Sequence, residues 1–364
     1  MHNGQRPFLA FQIQITSRCN LRCPLCTKQA FASDWVEGDM EMAVFRAAAE
    51  AFPALRQVYI DAWGEPLLHP RVWEMVAMAR AAGCSVGITT NGTRIDGEVA
   101  RRLARELDVV GISIDGATAP TYEAIRRGAR FEAVVSGIRE LVAARRSVRP
   151  EGLPLISLLF LKRRRNIHEL PALVDLAVEL GADEVIASNL TFPATMAAAA
   201  EAVYDLRAPA SDDLAILDKA RRRAASSGIS LQIYPLSPKR VGFCEAWPME
   251  SLYITWDGDV SPCVYLTLPL KNRTLSKIYE GKTYSIPATR FGNLKQASLF
   301  EIWDRPDYRR FREPFARRRV LCGRQRFGIT DDGGFDEIDP ETFNALANYP
   351  PPEVCSGCYK ALGI

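Results

Sequence analysis

"FLAFQIQITSRCNLRCPLC", residues 8–26, is the stretch on which the fold turns. Its first half, Phe8 to Ile15, is apolar and β-prone and predicts a strand. Its second half sets Cys19, Cys23 and Cys26 in the loop that follows, with three and then two residues between them. The chain has nine cysteines, an odd number, and "MHNGQRPF" at its start has no apolar signal core. The expectation is a cytoplasmic protein whose thiols are metal ligands rather than disulfide partners.

Outward from that stretch, short β-branched runs alternate with longer amphipathic ones to about residue 235. The candidate strands are "FLAFQIQI", "QVYIDA", "SVGITT", "VVGISI", "LISLLFL" and "EVIASN", with helical patterns such as "RVWEMVAMARAAG", "GEVARRLAREL" and "NIHELPALVDLAVELG" between them. Repeated βα units predict an α/β fold with a parallel sheet, a barrel or part of one. Chemistry in such a fold sits in the loops after the strands. Those loops carry the cysteines, "WGEPLLHP", "TNGT", "SIDGAT", "KRRRN" and "NLTFP". After "SSGISLQIY" the rhythm breaks into shorter Pro- and Gly-punctuated pieces, which predicts a boundary near residue 236. The expected domains are 1–235 and 236–364.

A cubane iron–sulfur cluster has four iron corners, and cysteine thiolate is its usual protein ligand. Cys19, Cys23 and Cys26 suit three corners and leave the fourth open to a non-protein ligand. A zinc knuckle completed by a distant residue is the alternative. Basic and acidic residues nearly balance, at 46 and 43. That balance gives no strongly basic footprint, and no nucleic-acid partner is expected. No run approaches the roughly 20 apolar residues of a membrane span.

The three-cysteine loop, followed by Gly64-Glu65-Pro66 at the end of the second candidate strand, resembles the signature of the radical S-adenosylmethionine (SAM) superfamily. That resemblance implies a partial (β/α)6 TIM-like barrel whose cluster chelates SAM through its open iron. It further implies that Gly64 and Glu65 meet the SAM amino group. Asn91, Ser113 and Arg126, with Arg127 as the alternative to Arg126, would approach the ribose and carboxylate. Leu25 stands where many members have an aromatic residue.

Cys244, Cys263, Cys355 and Cys358 offer a closed set of four thiols in a turn-rich segment. A four-thiol set suits electron transfer or a structural role, by iron–sulfur or by zinc. The arrangement resembles the twitch half of the SPASM extension, a small α+β domain, and implies one auxiliary [4Fe-4S] cluster. Cys84 is expected in the core. Cys322 lies among Arg317, Arg318, Arg319, Arg324 and Arg326, which would favour the thiolate and make it a candidate hydrogen donor, the other reading being an unremarkable surface cysteine. The Arg-rich stretch from Arg305 to Arg326 would either receive an anion or form a solvated helix face.

The resemblance implies an oxidoreductase in which SAM is cleaved reductively to a 5′-deoxyadenosyl radical that takes a substrate hydrogen atom. It implies a one-electron donor such as flavodoxin or ferredoxin. The substrate would be a small molecule or a peptide, oxidised with the auxiliary cluster as electron acceptor. A redox-neutral reaction using a cysteine hydrogen donor is the rival expectation, and a non-catalytic metal-binding module the third. With eighteen residues ahead of Cys19, no leader-recognition domain is expected there. "SNLTFP" and the Arg-rich segment are the expected substrate contacts.

Overall fold

The computed structural model describes residues 7–149, 152–242, 244–323 and 337–364. Six strands form where alternation predicts them: β1 (Phe8–Ile13), β2 (Leu55–Ile60), β3 (Ser85–Thr90), β4 (Val109–Ser113), β5 (Leu155–Lys162) and β6 (Glu184–Asn189). Each pairs in parallel with the next. A seventh parallel strand, β7 (Ser230–Ile233), closes this run at one edge.

Helices connect the strands and cover the outer face, as parallel pairing requires. The helix Gly97–Glu106 shows why they form: Asp96 accepts hydrogen bonds from the Glu98 and Val99 amides at its start. Its face Ala100, Leu103, Ala104 is buried, packed against the longer helix Phe131–Val148. The helix Leu170–Leu180 ends at Gly181 with φ 75°, a left-handed conformation that glycine adopts without a Cβ clash.

The sheet does not end at the boundary expected near residue 236. Strand β8 (Ser251–Ile254) lies parallel to β1 on the edge opposite β2, and β9 (Asp259–Ser261) continues antiparallel. A hairpin, β10 (Thr274–Tyr279) and β11 (Lys282–Pro287), stands apart as a two-stranded sheet. The short β12 (Gly292–Asn293) returns to pair with β9. The order is β12-β9-β8-β1-β2-β3-β4-β5-β6-β7, an open ten-stranded sheet. One face of it brings together Gln12, Tyr59, Asp61, Thr89 and Tyr253.

One apolar core runs through both halves: Phe8 of β1 meets Trp303 edge-on at 5.0 Å, and Tyr308, Phe311 and Phe315 of the helix Pro306–Leu321 join it. No helix among the described residues is long and apolar enough to cross a membrane.

Candidate active site

Cys19, Cys23 and Cys26 leave β1 in a loop pinned from both sides. The Arg22 amide donates to the Arg127 carbonyl at 3.0 Å, and the Cys26 amide to the Cys23 carbonyl at 3.0 Å. The Glu65 amide donates to the Arg18 carbonyl at 2.8 Å, which draws the β2 loop against the cysteine loop. Gly64 permits this approach, because a Cβ there would lie 2.2 Å from the Thr16 carbonyl oxygen.

These residues open onto one cavity of about 280 Å³, lined by the three cysteines and by Gly64, Glu65, Asn91, Ser113 and Arg126. The sequence expectation thus falls on one surface. Glu65 is almost fully buried; it accepts from the Thr90 hydroxyl at 2.7 Å, the Asn91 amide at 2.7 Å and the Leu67 amide at 3.1 Å. Burial raises its pKa and these donors oppose the rise. Asn91 donates to Asn20 Oδ1 at 2.9 Å.

Arg126, rather than Arg127, lines the cavity. It is aimed by a residue that the sequence reading passed over: Asp115, fully buried, accepts from Arg126 Nε at 2.7 Å and from the Leu161 amide at 2.8 Å. The signal was present in "SIDGAT", two residues beyond Ser113. Arg163 after β5 also reaches this cavity, and its buried Nε has no partner among the described residues. Asn189, Leu190, Thr191 and Phe192 of "SNLTFP" complete the wall. Deeper in the sheet's inner face, Asp61 accepts from Gln12 Nε2 at 2.6 Å, and burial pushes its carboxyl up to about 7.

Cys244, Cys263, Cys355 and Cys358 line a second cavity together, with Lys277 among its walls. Thr191, Phe192 and Tyr265 belong to both cavities. Phe192 and Tyr265 stack at 5.6 Å with 20° between planes, and Trp63 meets Tyr265 edge-on at 6.1 Å. This aromatic partition joins residues from three separate loops, a long-range meeting that no local pattern announces.

Both donor sets suit clusters. Burial is the main cause that pushes the Cys19 and Cys244 thiols up to about 11 and raises Cys23, Cys263 and Cys355, and neighbouring thiols add to it. A bound cation would offset this cost by stabilising the thiolates. Among the described residues no three His, Cys, Asp or Glu side chains close around the position of a single metal ion. The three N-terminal thiols line one cavity and the four C-terminal thiols another.

Cys322 departs from expectation. It is buried against Ile338 and Leu346 and lines neither cavity. Burial raises its thiol, and Arg318 only partly opposes this. A helix turns side chains at successive positions in different directions, so an Arg-rich sequence neighbourhood does not make an Arg-rich environment. Arg324 and Arg326 lie outside the described residues.

The Arg-rich helix is a solvated face with part of its cations packed down: Arg309, Arg310 and Arg317 are exposed, while others turn onto the protein. Arg312 sits 3.7 Å over the Trp303 ring, Arg318 donates to the Gly242 carbonyl, and Arg319 pairs with Glu250. Cys84 is buried, as expected, with Sγ 3.4 Å from the Phe52 carbonyl oxygen.

A partial parallel barrel with three thiols at the rim of its first strand, and four more beside it, defines an iron–sulfur protein. The radical SAM superfamily model matches residues 13–177, and the model of the SPASM iron–sulfur cluster-binding domain matches residues 244–325. The chain is 33% identical over 308 residues to the tungsten-containing aldehyde ferredoxin oxidoreductase cofactor-modifying protein of Pyrococcus furiosus, covering 82% of each. It is 30% identical over 285 residues to the PqqA peptide cyclase of Streptomyces rochei, covering 73% of this chain and 74% of that one. Its fold resembles the solved structure of anSMEcpe with bound AdoMet, with a TM-score of 0.62 and 15% identity over 97% of this chain and 99% of the other. The chain belongs to the radical SAM superfamily, in its SPASM-bearing branch. Its cofactors are SAM and [4Fe-4S] clusters.

Proposed function

We propose that this chain is a maturase that oxidises a peptide or a cofactor precursor, taking a hydrogen atom from an unactivated C–H bond and passing the second electron to one auxiliary cluster. The carrying observation is the shared partition of Thr191, Phe192 and Tyr265 between the two thiol-lined cavities. Cys19, Cys23 and Cys26 would hold the SAM-binding cluster, with Gly64, Glu65, Asn91, Ser113 and Arg126 orienting SAM. Cys244, Cys263, Cys355 and Cys358 would hold the auxiliary cluster. The bound cofactors supply the radical chemistry, and the chain orients them and keeps water from a reactive intermediate. A flavodoxin or ferredoxin would deliver the first electron.

The relatives, a cofactor-modifying protein and a peptide cyclase, support the substrate class. The burial of Cys84 and Cys322 away from both cavities favours oxidation over a redox-neutral reaction with a cysteine hydrogen donor. The test is iron and acid-labile sulfide in anaerobically reconstituted protein, beside a variant with Cys19, Cys23 and Cys26 all replaced by Ala. About eight iron falling to about four is expected. The wild type alone should then convert SAM to 5′-deoxyadenosine with dithionite. About four falling to about zero would remove the auxiliary cluster and the oxidation with it.

A further inference from the structure

Strand β10 alternates, and alternation sends Leu275 and Lys277 to the same inner face. Leu275 is fully buried there; Lys277 follows it in, with 7% of its surface exposed. A buried ammonium needs either an anion or a dense set of acceptors. Lys277 Nζ has one acceptor, the Ser356 carbonyl at 2.9 Å, in the loop between Cys355 and Cys358. Cys355 and Cys358 line the same cavity wall, and no carboxylate lies within ion-pair distance of Lys277 among the described residues.

Lys360, the other lysine near these thiols, is different, because it is already paired with Glu245. Lys277 is therefore the cation on this cavity wall whose counter-charge is left to the thiolates. The hairpin holds it firmly: Tyr279 of β10 packs on Tyr359 at 5.0 Å, and the Ile278 amide donates to the Pro193 carbonyl at 2.8 Å. Gly357, at φ 66°, lets the loop lie against Tyr279, since a Cβ there would come within 2.9 Å of the ring.

We propose that Lys277 sets the reduction potential of the auxiliary cluster, holding it high enough to accept an electron from a substrate radical. This rests on the reading that the four C-terminal thiols ligate that cluster. Uptake of one electron adds one negative charge to the thiolate-bound cluster, and a fixed buried cation beside two of its ligands stabilises that charge. Net charge, hydrogen bonding and burial are the levers by which a protein tunes such a potential. The lysine neither gains nor loses a proton in the step; the electron comes from the substrate radical, which is oxidised as the cluster is reduced.

The experiment uses the full chain with Cys19, Cys23 and Cys26 replaced by Ala, so that the auxiliary cluster is read alone. Lys277→Met, Lys277→Arg and the exposed hairpin control Lys282→Met are added to that parent, reconstituted anaerobically and titrated against dithionite with mediators. The reduced cluster is followed by electron paramagnetic resonance. At a fixed potential the reduced fraction relative to the oxidised one should fall at least tenfold in Lys277→Met, equivalent to about 59 mV for one electron. Lys277→Arg and Lys282→Met should stay near the parent.

If Lys277→Met loses its iron, Lys277→Gln, which keeps a donor for the Ser356 carbonyl without the charge, is read in its place. Iron at the parent level with an unmoved midpoint in the uncharged variant overturns the proposal alone. A parent that binds no iron overturns the ligand assignment beneath it.

Discussion

Replacing Asp115 by Asn tests whether the candidate SAM site is organised by one buried carboxylate. Asp115 is fully buried and Arg126 shows 19% of its side chain, so their 2.7 Å contact is shielded from water. Removing one partner of such a pair costs about 3–5 kcal/mol, because the other charge stays behind unpaired. The partial exposure of Arg126 and the carbonyl that Asn retains for the Leu161 amide put the expected cost at about 3 kcal/mol. At roughly 2 °C per kcal/mol for a chain of this size, the thermal midpoint should fall by roughly 6 °C at equal iron content. The decisive assay is a cycle with Arg126→Met. Removing both charges should recover about 2 kcal/mol relative to the sum of the two single changes. Simple additivity, or an Asp115→Asn protein that melts with the wild type, would refute the argument that Asp115 holds Arg126 in place.

Gly64→Ala should destabilise by about 1–3 kcal/mol and lower iron retention at the first site, because its Cβ meets a backbone carbonyl that cannot swing away; calorimetry beside iron analysis reads both. The Asp61 carboxyl keeps its proton to about pH 7 in the folded protein, whereas the unfolded chain releases it near 4. The folded state therefore binds more protons between pH 4 and 7, and its stability falls across that window by at most about 4 kcal/mol. Asp61→Asn should remove this slope in urea titrations and leave the protein more stable than wild type at pH 8. Cys322→Ala should keep full iron content and SAM cleavage and cost about 1 kcal/mol of stability; loss of product with SAM cleavage intact would restore the hydrogen-donor expectation.

The first six strands were legible because each is a short apolar or β-branched run, and the loops behind them carry the motifs in order. Strand β8 was not. "SLYI" is four residues among prolines, glycines and turns, and its place beside β1 is a pairing across more than two hundred positions. Gly64, Glu65, Asn91, Ser113 and Arg126 line one cavity because loops at one rim of a parallel sheet converge. Asp115 and Lys277 escaped notice for a common reason. A charged residue in sequence reads as solvated until the fold shows which way it turns. Cys322 failed in the opposite sense: two apolar residues cover it, and of its basic neighbours along the chain Arg318 only partly offsets that burial.

Strand β8 also bears on where this molecule can be cut. The strand that launches the three-cysteine loop is zipped on one edge by β2 and on the other by a segment from beyond residue 250. A protein shortened at the apparent boundary would leave that edge of β1 bare, a template for adding strands from other molecules. The barrel is thus not a detachable cassette. Exchanging the auxiliary half between relatives would have to carry β8 with it, or β1 would lose the partner on that edge.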